Sequence, residues 1–337
     1  ALSLQHEFTV GAFPDDSLHQ LFRVAGAALL PEGRVVVANG GIELRFFGPS
    51  GVFQTATGGR GEGPGEFKAI GWIGSYRHDS VGVFDPALRR FSVFDLEGRY
   101  SRSFDLLLAS GNVPGAPEVA GVFDDGAVLF RWSLSPPMRA GLVHQAELLT
   151  VYGASGDEQF TLGQFSGEDI FFSPRRGGGM AFGPPPFSPK PQYVAAGERI
   201  FLTESTSYEV RIRNGQGQQE LIARVDQEPQ PITEAVIRGF LASRLARHHD
   251  PATRRKAEAA LRSMVVYDFL SALTGLLADN EGGFWVRTGR EGQSTSIWHR
   301  FSSTGVFLGP VELPSDAKVM DLRSGRIALL EGGRREE

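Results

Sequence analysis

Gly58-Gly59-Arg60-Gly61-Glu62-Gly63-Pro64-Gly65-Glu66-Phe67 separates two strand-like runs, and its reading decides the fold. Glycine adopts positive φ without a steric penalty and lets backbones pass closely; proline fixes one φ angle; the closing phenylalanine offers a large apolar group to bury. The stretch lacks the Gly-Lys-Ser/Thr ending of a phosphate loop and no helical periodicity follows it, which sets a nucleotide cradle aside. It reads as a structural hinge that carries the chain from one small sheet into the next.

On its N-terminal side, residues 21–67 hold apolar Val24 to Leu30, a turn at Pro31-Glu32-Gly33, Val35-Val36-Val37, Leu44 to Phe47 and Val52-Phe53. These are four short strands joined by turns. On its C-terminal side the order repeats: Ile70 to Ile73, Val81 to Asp85, Phe91 to Asp95, a turn at Leu96-Glu97-Gly98, then Tyr100 to Phe104. A third unit is drawn from Pro117 to Phe165, a fourth from Gln192, a fifth from Leu273, and an incomplete sixth from Val319 to Leu330. A spacing of roughly 40 to 50 residues is that of a propeller blade and too long for leucine-rich or ankyrin repeats. The expectation is an all-β, six-bladed β-propeller forming one domain over residues 1–337. The last unit lacks an outer edge, so the strand-like Leu4 to Val10 is expected to pair with it and close the ring, removing an edge open to aggregation.

Two insertions break the repeat. Over 232–264, Ile232, Val236, Ile237, Phe240 and Leu241 share a helical face and Thr233 can cap it. His249-Asp250-Pro251 then starts a second helix with Ala257, Ala260, Leu261 and Met264 inward, giving a helical hairpin between blades four and five. Over 173–191, Gly177-Gly178-Gly179 and Pro184-Pro185-Pro186 predict an extended loop with little regular structure.

Composition excludes several function classes. The net charge of −5 is too mild and of the wrong sign for a nucleic-acid binder. With no cysteine there is no disulfide framework, thiolate metal site or cysteine nucleophile. No run approaches the ~18 apolar residues that read as a membrane-spanning helix. Ala1-Leu2-Ser3 suits the small-residue side of a processed export signal, and export is the expectation.

No catalytic constellation emerges. The seven histidines are scattered, with no HExxH or similar ligand spacing, and there is no Gly-x-Ser-x-Gly elbow. Asp124, Asp125, Asp279, Asn280, Glu281 and Asp321 sit in Asp/Asn/Gly turns, where tight loop geometry accounts for them. The expectation is a chain that is not an enzyme and holds no metal or cofactor.

The hairpin is where charge concentrates. Arg238, Arg244, Arg247, Arg254, Arg255, Lys256 and Arg262 outnumber Glu234, Asp250 and Glu258 in an otherwise acidic chain. Its outer face is either a solvated helix surface or a dock for an acidic partner or anionic headgroups. A second contact is expected from Arg175, Arg176, Phe182 and Phe187 on the Gly/Pro loop, the phenylalanines having blade-gap filling as their alternative role.

The 58–67 element, followed by Val83-Phe84-Asp85 and Phe91-Ser92-Val93-Phe94-Asp95, resembles the blade junction of NHL-type and related bacterial six-bladed β-propellers. The resemblance implies export, often with a lipid anchor. In size and architecture the chain also resembles extrinsic propeller subunits of bacterial photosynthetic reaction centres. That implies a periplasmic scaffold, peripheral to the membrane, docked on an integral membrane complex such as a reaction centre and its light-harvesting subunits. Resemblance to propeller lactonases and lyases implies the rival: a metal-dependent hydrolase or lyase with a central-channel site.

Overall fold

The computed structural model describes residues 4–11, 17–106, 115–175, 177–246, 250–288 and 295–331. The chain is mostly β, with 50% of it in strands and 9% in helix, so sheets supply the core.

Each repeat unit folds as an antiparallel meander. The first is β1 (Gly26–Leu29), β2 (Val35–Asn39), β3 (Glu43–Phe47) and β4 (Phe53–Gly58); the second is β5 (Trp72–Tyr76), β6 (Ser80–Asp85), β7 (Arg90–Asp95) and β8 (Tyr100–Asp105). The burial pattern explains why these sequences form such sheets. All five residues of β2 are buried, as a strand covered on both faces requires, whereas β4 alternates half-buried and exposed positions. Two further meanders, β9 (Pro117–Val122) to β12 (Glu158–Pro174) and β14 (Gln192–Ala196) to β17 (Gln219–Arg224), touch through one parallel pair, Ala195 with Gly121. A Cβ on Gly121 would lie 2.0 Å from the Ala195 carbonyl oxygen, so only glycine permits that approach. A fifth meander is β18 (Leu273–Ala278) to β21 (Phe307–Pro314), and the last sheet has two strands, β22 (Lys318–Arg323) and β23 (Arg326–Leu330).

The 58–67 junction works as a folded clasp. Gly58 and Gly65 take φ of 100° and 76°, an Arg60–Phe67 bridge closes the loop, and Arg90 donates to the carbonyls of Glu62, Gly63 and Glu66. Phe67 is fully buried and its ring lies 5.9 Å from that of Phe94. Asp85, buried, accepts from the backbone N–H groups of Lys68, Ala69, Ala87 and Leu88 at 2.6 to 3.0 Å, tying the junction to the next sheet.

Between successive sheets lie apolar clusters. Phe46 and Leu44 meet Val81 and Phe94; Phe84 and Phe91 meet Phe130 and Trp132; Leu129 and Val151 meet Tyr193 and Ile200; Phe201 and Ile212 meet Phe284 and Val286; Trp285 and Trp298 meet Leu322. One more cluster joins the last sheet to the first, with Met320 and Ala328 against Leu29 and Val35. This is a propeller-like array.

Three local expectations change. Residues 4–10 form no strand and no ladder with β23. Only Glu7 reaches the expected sheet, ion-paired with Arg326, while Phe8 and Val10 pack on the Leu29, Val35 and Phe47 cluster of the first sheet that Met320 and Ala328 also join, so side chains rather than backbone pairing hold the segment. Within 173–191, Met180–Gly183 forms β13 on the edge of β12; the 17-residue β12 outruns its own meander and leaves backbone groups for β13 to satisfy. In the helical segment, α1 (Glu234–Leu245) buries Leu241 and Leu245, but α2 (Pro251–Ser263) has no buried residue and Ala260 is exposed, so α2 lies on α1 as an outer layer.

Candidate functional site

Extra segments from two parts of the chain assemble into one accessory body. β11 (Gly141–Tyr152) and β12 extend as a ribbon, with Gly141 paired to Phe172 at its far end and β13 added alongside. The α1–α2 hairpin enters between β17 and β18. Its caps are local: the Thr233 hydroxyl accepts from Val236 N–H at 3.4 Å and the Asp250 carboxylate from Thr253 N–H at 2.7 Å.

Two contacts join ribbon and hairpin. Phe187, at φ 63°, places its ring 5.1 Å from that of Phe240 on α1. Tyr267, just after α2, donates its phenol to the Asp169 carboxylate of β12, whose other oxygen lies 2.8 Å from His144 Nδ1 on β11. Burial first, then the Asp169 hydrogen bond, push the Tyr267 phenol well above its ordinary range, so it stays a donor.

The surface that results is cationic with apolar points. Arg238, Arg244, Arg254, Arg255 and Lys256 are exposed and make no ion pair among the described residues, whereas Arg262 is held by Glu234 at 3.0 Å and Glu258 at 3.3 Å. Arg175 is exposed in the turn before β13. Phe182 is 72% exposed, touching Phe172 by ring contact, and Met138 at the ribbon end is 79% exposed. Phe187 is half-buried against Phe240 and anchors the loop instead of facing solvent. Arg176 and Arg247 lie outside the described residues.

The ribbon base holds a group that no sequence pattern signals. Glu147 is buried, with Arg131 Nη1 3.6 Å from one oxygen and no hydrogen-bond partner on the other. Burial raises its carboxyl above the usual range, opposed by Arg131 and reinforced by Glu118 and Glu168.

Of the six turn residues Asp124, Asp125, Asp279, Asn280, Glu281 and Asp321, five have a partner for the side chain. Asp125 accepts from Ala127 N–H, Asp279 from Glu281 and Gly283, Asn280 from Ser324, and Asp321 from Leu29 and Leu322, while Asp124 faces His78 at 3.8 Å. Among the described residues no three His, Asp or Glu side chains converge as a metal site. No helix among those residues is long and apolar enough to cross a membrane.

No protein-family model and no curated protein matches the chain. Solved structures match over most of its length at low identity. A Bacteroides fragilis protein, provisionally named as exported, shares 12% identity with 87% of this chain and 72% of that one covered and a TM-score of 0.45. A Xanthomonas campestris gluconolactonase shares 12%, covering 93% and 84%, at 0.45. Kuenenia stuttgartiensis hydrazine synthase shares 10%, covering 91% and 70%, at 0.40. None of these similarities carries an activity or a partner over to this chain.

Proposed function

We propose that the protein is an exported, non-catalytic scaffold: a closed six-bladed propeller of the NHL-like kind whose accessory body docks on the periplasmic side of an integral membrane complex. The observation that carries this reading is the joining of ribbon and hairpin into one body that carries five cations unpaired among the described residues on the hairpin and exposed Phe182 and Met138 on the ribbon. Unpaired arginines beside apolar groups suit a protein interface, because guanidinium groups bind carboxylates in a planar fork and the apolar groups exclude water around them.

Closure is supported by the cluster between the last sheet and the first and by the Glu7–Arg326 pair, which ties the N-terminal segment to β23. A rigid array suits a scaffold since it holds its loops in fixed positions. The residues select an acidic partner surface; resemblance in size and architecture narrows the complex to a photosynthetic reaction centre with its light-harvesting subunits.

The experiment is purification of tagged chain from native membranes in mild detergent, with the copurifying integral membrane complex identified by mass. A variant with Arg238, Arg244, Arg254 and Arg255 changed to Glu should fold and lose that complex. Undiminished copurification by the folded variant removes the hairpin from the interface.

A further inference from the structure

A cavity of about 230 Å³ lies among five of the repeat units, lined by Trp72 to Ser75, Ala120 to Val122, Val194 to Gly197, Leu277 and Ala278, and Met320 to Arg323. Neighbouring side chains on a strand point to opposite faces, so runs of consecutive lining residues can face one space only through their backbone edges. The strands concerned are β5, β9, β14 and β18, each the first of its meander, and β22, the first of the last sheet. β5, β18 and β22 are paired on one side only, and β9 and β14 meet each other only at Gly121 and Ala195, so N–H and C=O groups along these strands turn to the cavity, and such groups require polar partners. The wall is therefore a hydrogen-bonding one, with the small residues Gly74, Ala120, Gly121, Ala195, Ala196 and Ala278 among its lining.

Charge is uneven at its lining turns. Arg77 donates both Nε, at 2.9 Å, and Nη2 to the Asp125 carbonyl, which leaves Nη1 to offer and a charge that no carboxylate pairs with among the described residues. The Arg323 side chain makes no hydrogen bond or ion pair among the described residues, although its charge acts on the Asp321 carboxylate in the same wall. The Asn280 oxygen accepts from Ser324 N–H at 3.1 Å, so the amide has only its NH₂ donors left to offer. Asp124 is the one carboxylate among these turn residues, and His78 stands 3.8 Å from it. Asp321 also lines the space, with both oxygens accepting backbone N–H groups.

We propose that this cavity binds a small hydroxylated carboxylate, its carboxylate held by Arg323, Arg77 and the Asn280 amide and its hydroxyls by the strand edges. Two guanidinium groups and an amide donor select the anion; edges offering both donors and acceptors select hydroxyls over an apolar body. The site is independent of the docking face and involves no chemical step.

Titration calorimetry on the full chain tests it with tartrate as probe, erythritol as the uncharged counterpart and succinate as the counterpart without hydroxyls. Tartrate should bind saturably and at least about tenfold more tightly than either, and Arg323→Gln should weaken it by at least about tenfold, as loss of a charged hydrogen-bond pair implies. The comparison among ligands holds even if the variant misfolds, and Arg77→Gln supplies a second variant. Charge reversal on the hairpin should leave tartrate binding unchanged. Absence of saturable tartrate binding, a smaller margin over erythritol or succinate, or unchanged affinity in a folded Arg323→Gln protein overturns the proposal.

Discussion

The backbone N–H of Leu29 donates to the carboxylate of Asp321 at 2.7 Å, joining the first sheet to the last across 292 residues of sequence. The other carboxylate oxygen takes the N–H of Leu322 at 2.8 Å, so one side chain satisfies two backbone donors where the array's ends meet. Asp321→Ala leaves both donors without their acceptor, which costs about 1–3 kcal/mol. Urea unfolding should show a lower midpoint, and amide exchange at Leu29 and Leu322 should accelerate while β6 and β7 stay protected. Unchanged exchange at Leu29 would show that the contact does not hold the two sheets together.

Glu147 gives a pH signature. Its carboxyl titrates above the ordinary 4.5 chiefly because burial disfavours the charge. The folded chain therefore holds this proton more tightly than the unfolded chain does. The group's contribution is fully present below the unfolded value and is lost as pH rises through the raised folded value. Glu147→Gln removes the titration, and Arg131 keeps Glu118 as its partner. The variant should be at least as stable as the parent at neutral pH and should lack the parent's decline as pH rises above the ordinary carboxyl value of 4.5, as read from urea midpoints. A parallel decline in both proteins contradicts the assignment.

Phe187 and Phe240 couple the Gly/Pro loop to α1. In a double-mutant cycle, Phe187→Ala and Phe240→Ala should show an interaction of about 0.5–1.5 kcal/mol, the range for an aromatic pair. Tyr267→Phe should further raise amide exchange in α1 and α2 without altering exchange in the first two sheets. Strict additivity of the two alanine changes would mean that loop and hairpin are independent.

The array was legible because its physics is local. Turns such as Asp279 to Gly283 and the apolar run of β2 announce a repeating strand pattern, and the Gly58–Phe67 clasp follows from glycine, proline and one buried ring. What escaped depends on contacts between distant residues. Asp85 reads as the end of a strand, yet its four backbone acceptances pin the junction. Leu4–Val10 alternates like a strand, but whether it pairs by backbone or by side chains depends on Arg326, more than three hundred residues away. The cationic hairpin was visible as composition; that Arg262 is internally paired and Phe187 is spent on Phe240 depends on packing. Asp169, His144 and Tyr267 carry no motif, and only the meeting of ribbon and hairpin brings them together.

The docking claim is tested most directly by hydrogen–deuterium exchange on the chain alone and on the chain bound to the membrane complex it copurifies with. New protection should be confined to α1, α2 and the β12–β13 edge carrying Arg175 and Phe182. Protection at the cavity turns around Arg77, Asp124, Asn280 and Arg323, with the accessory body unchanged, would contradict it.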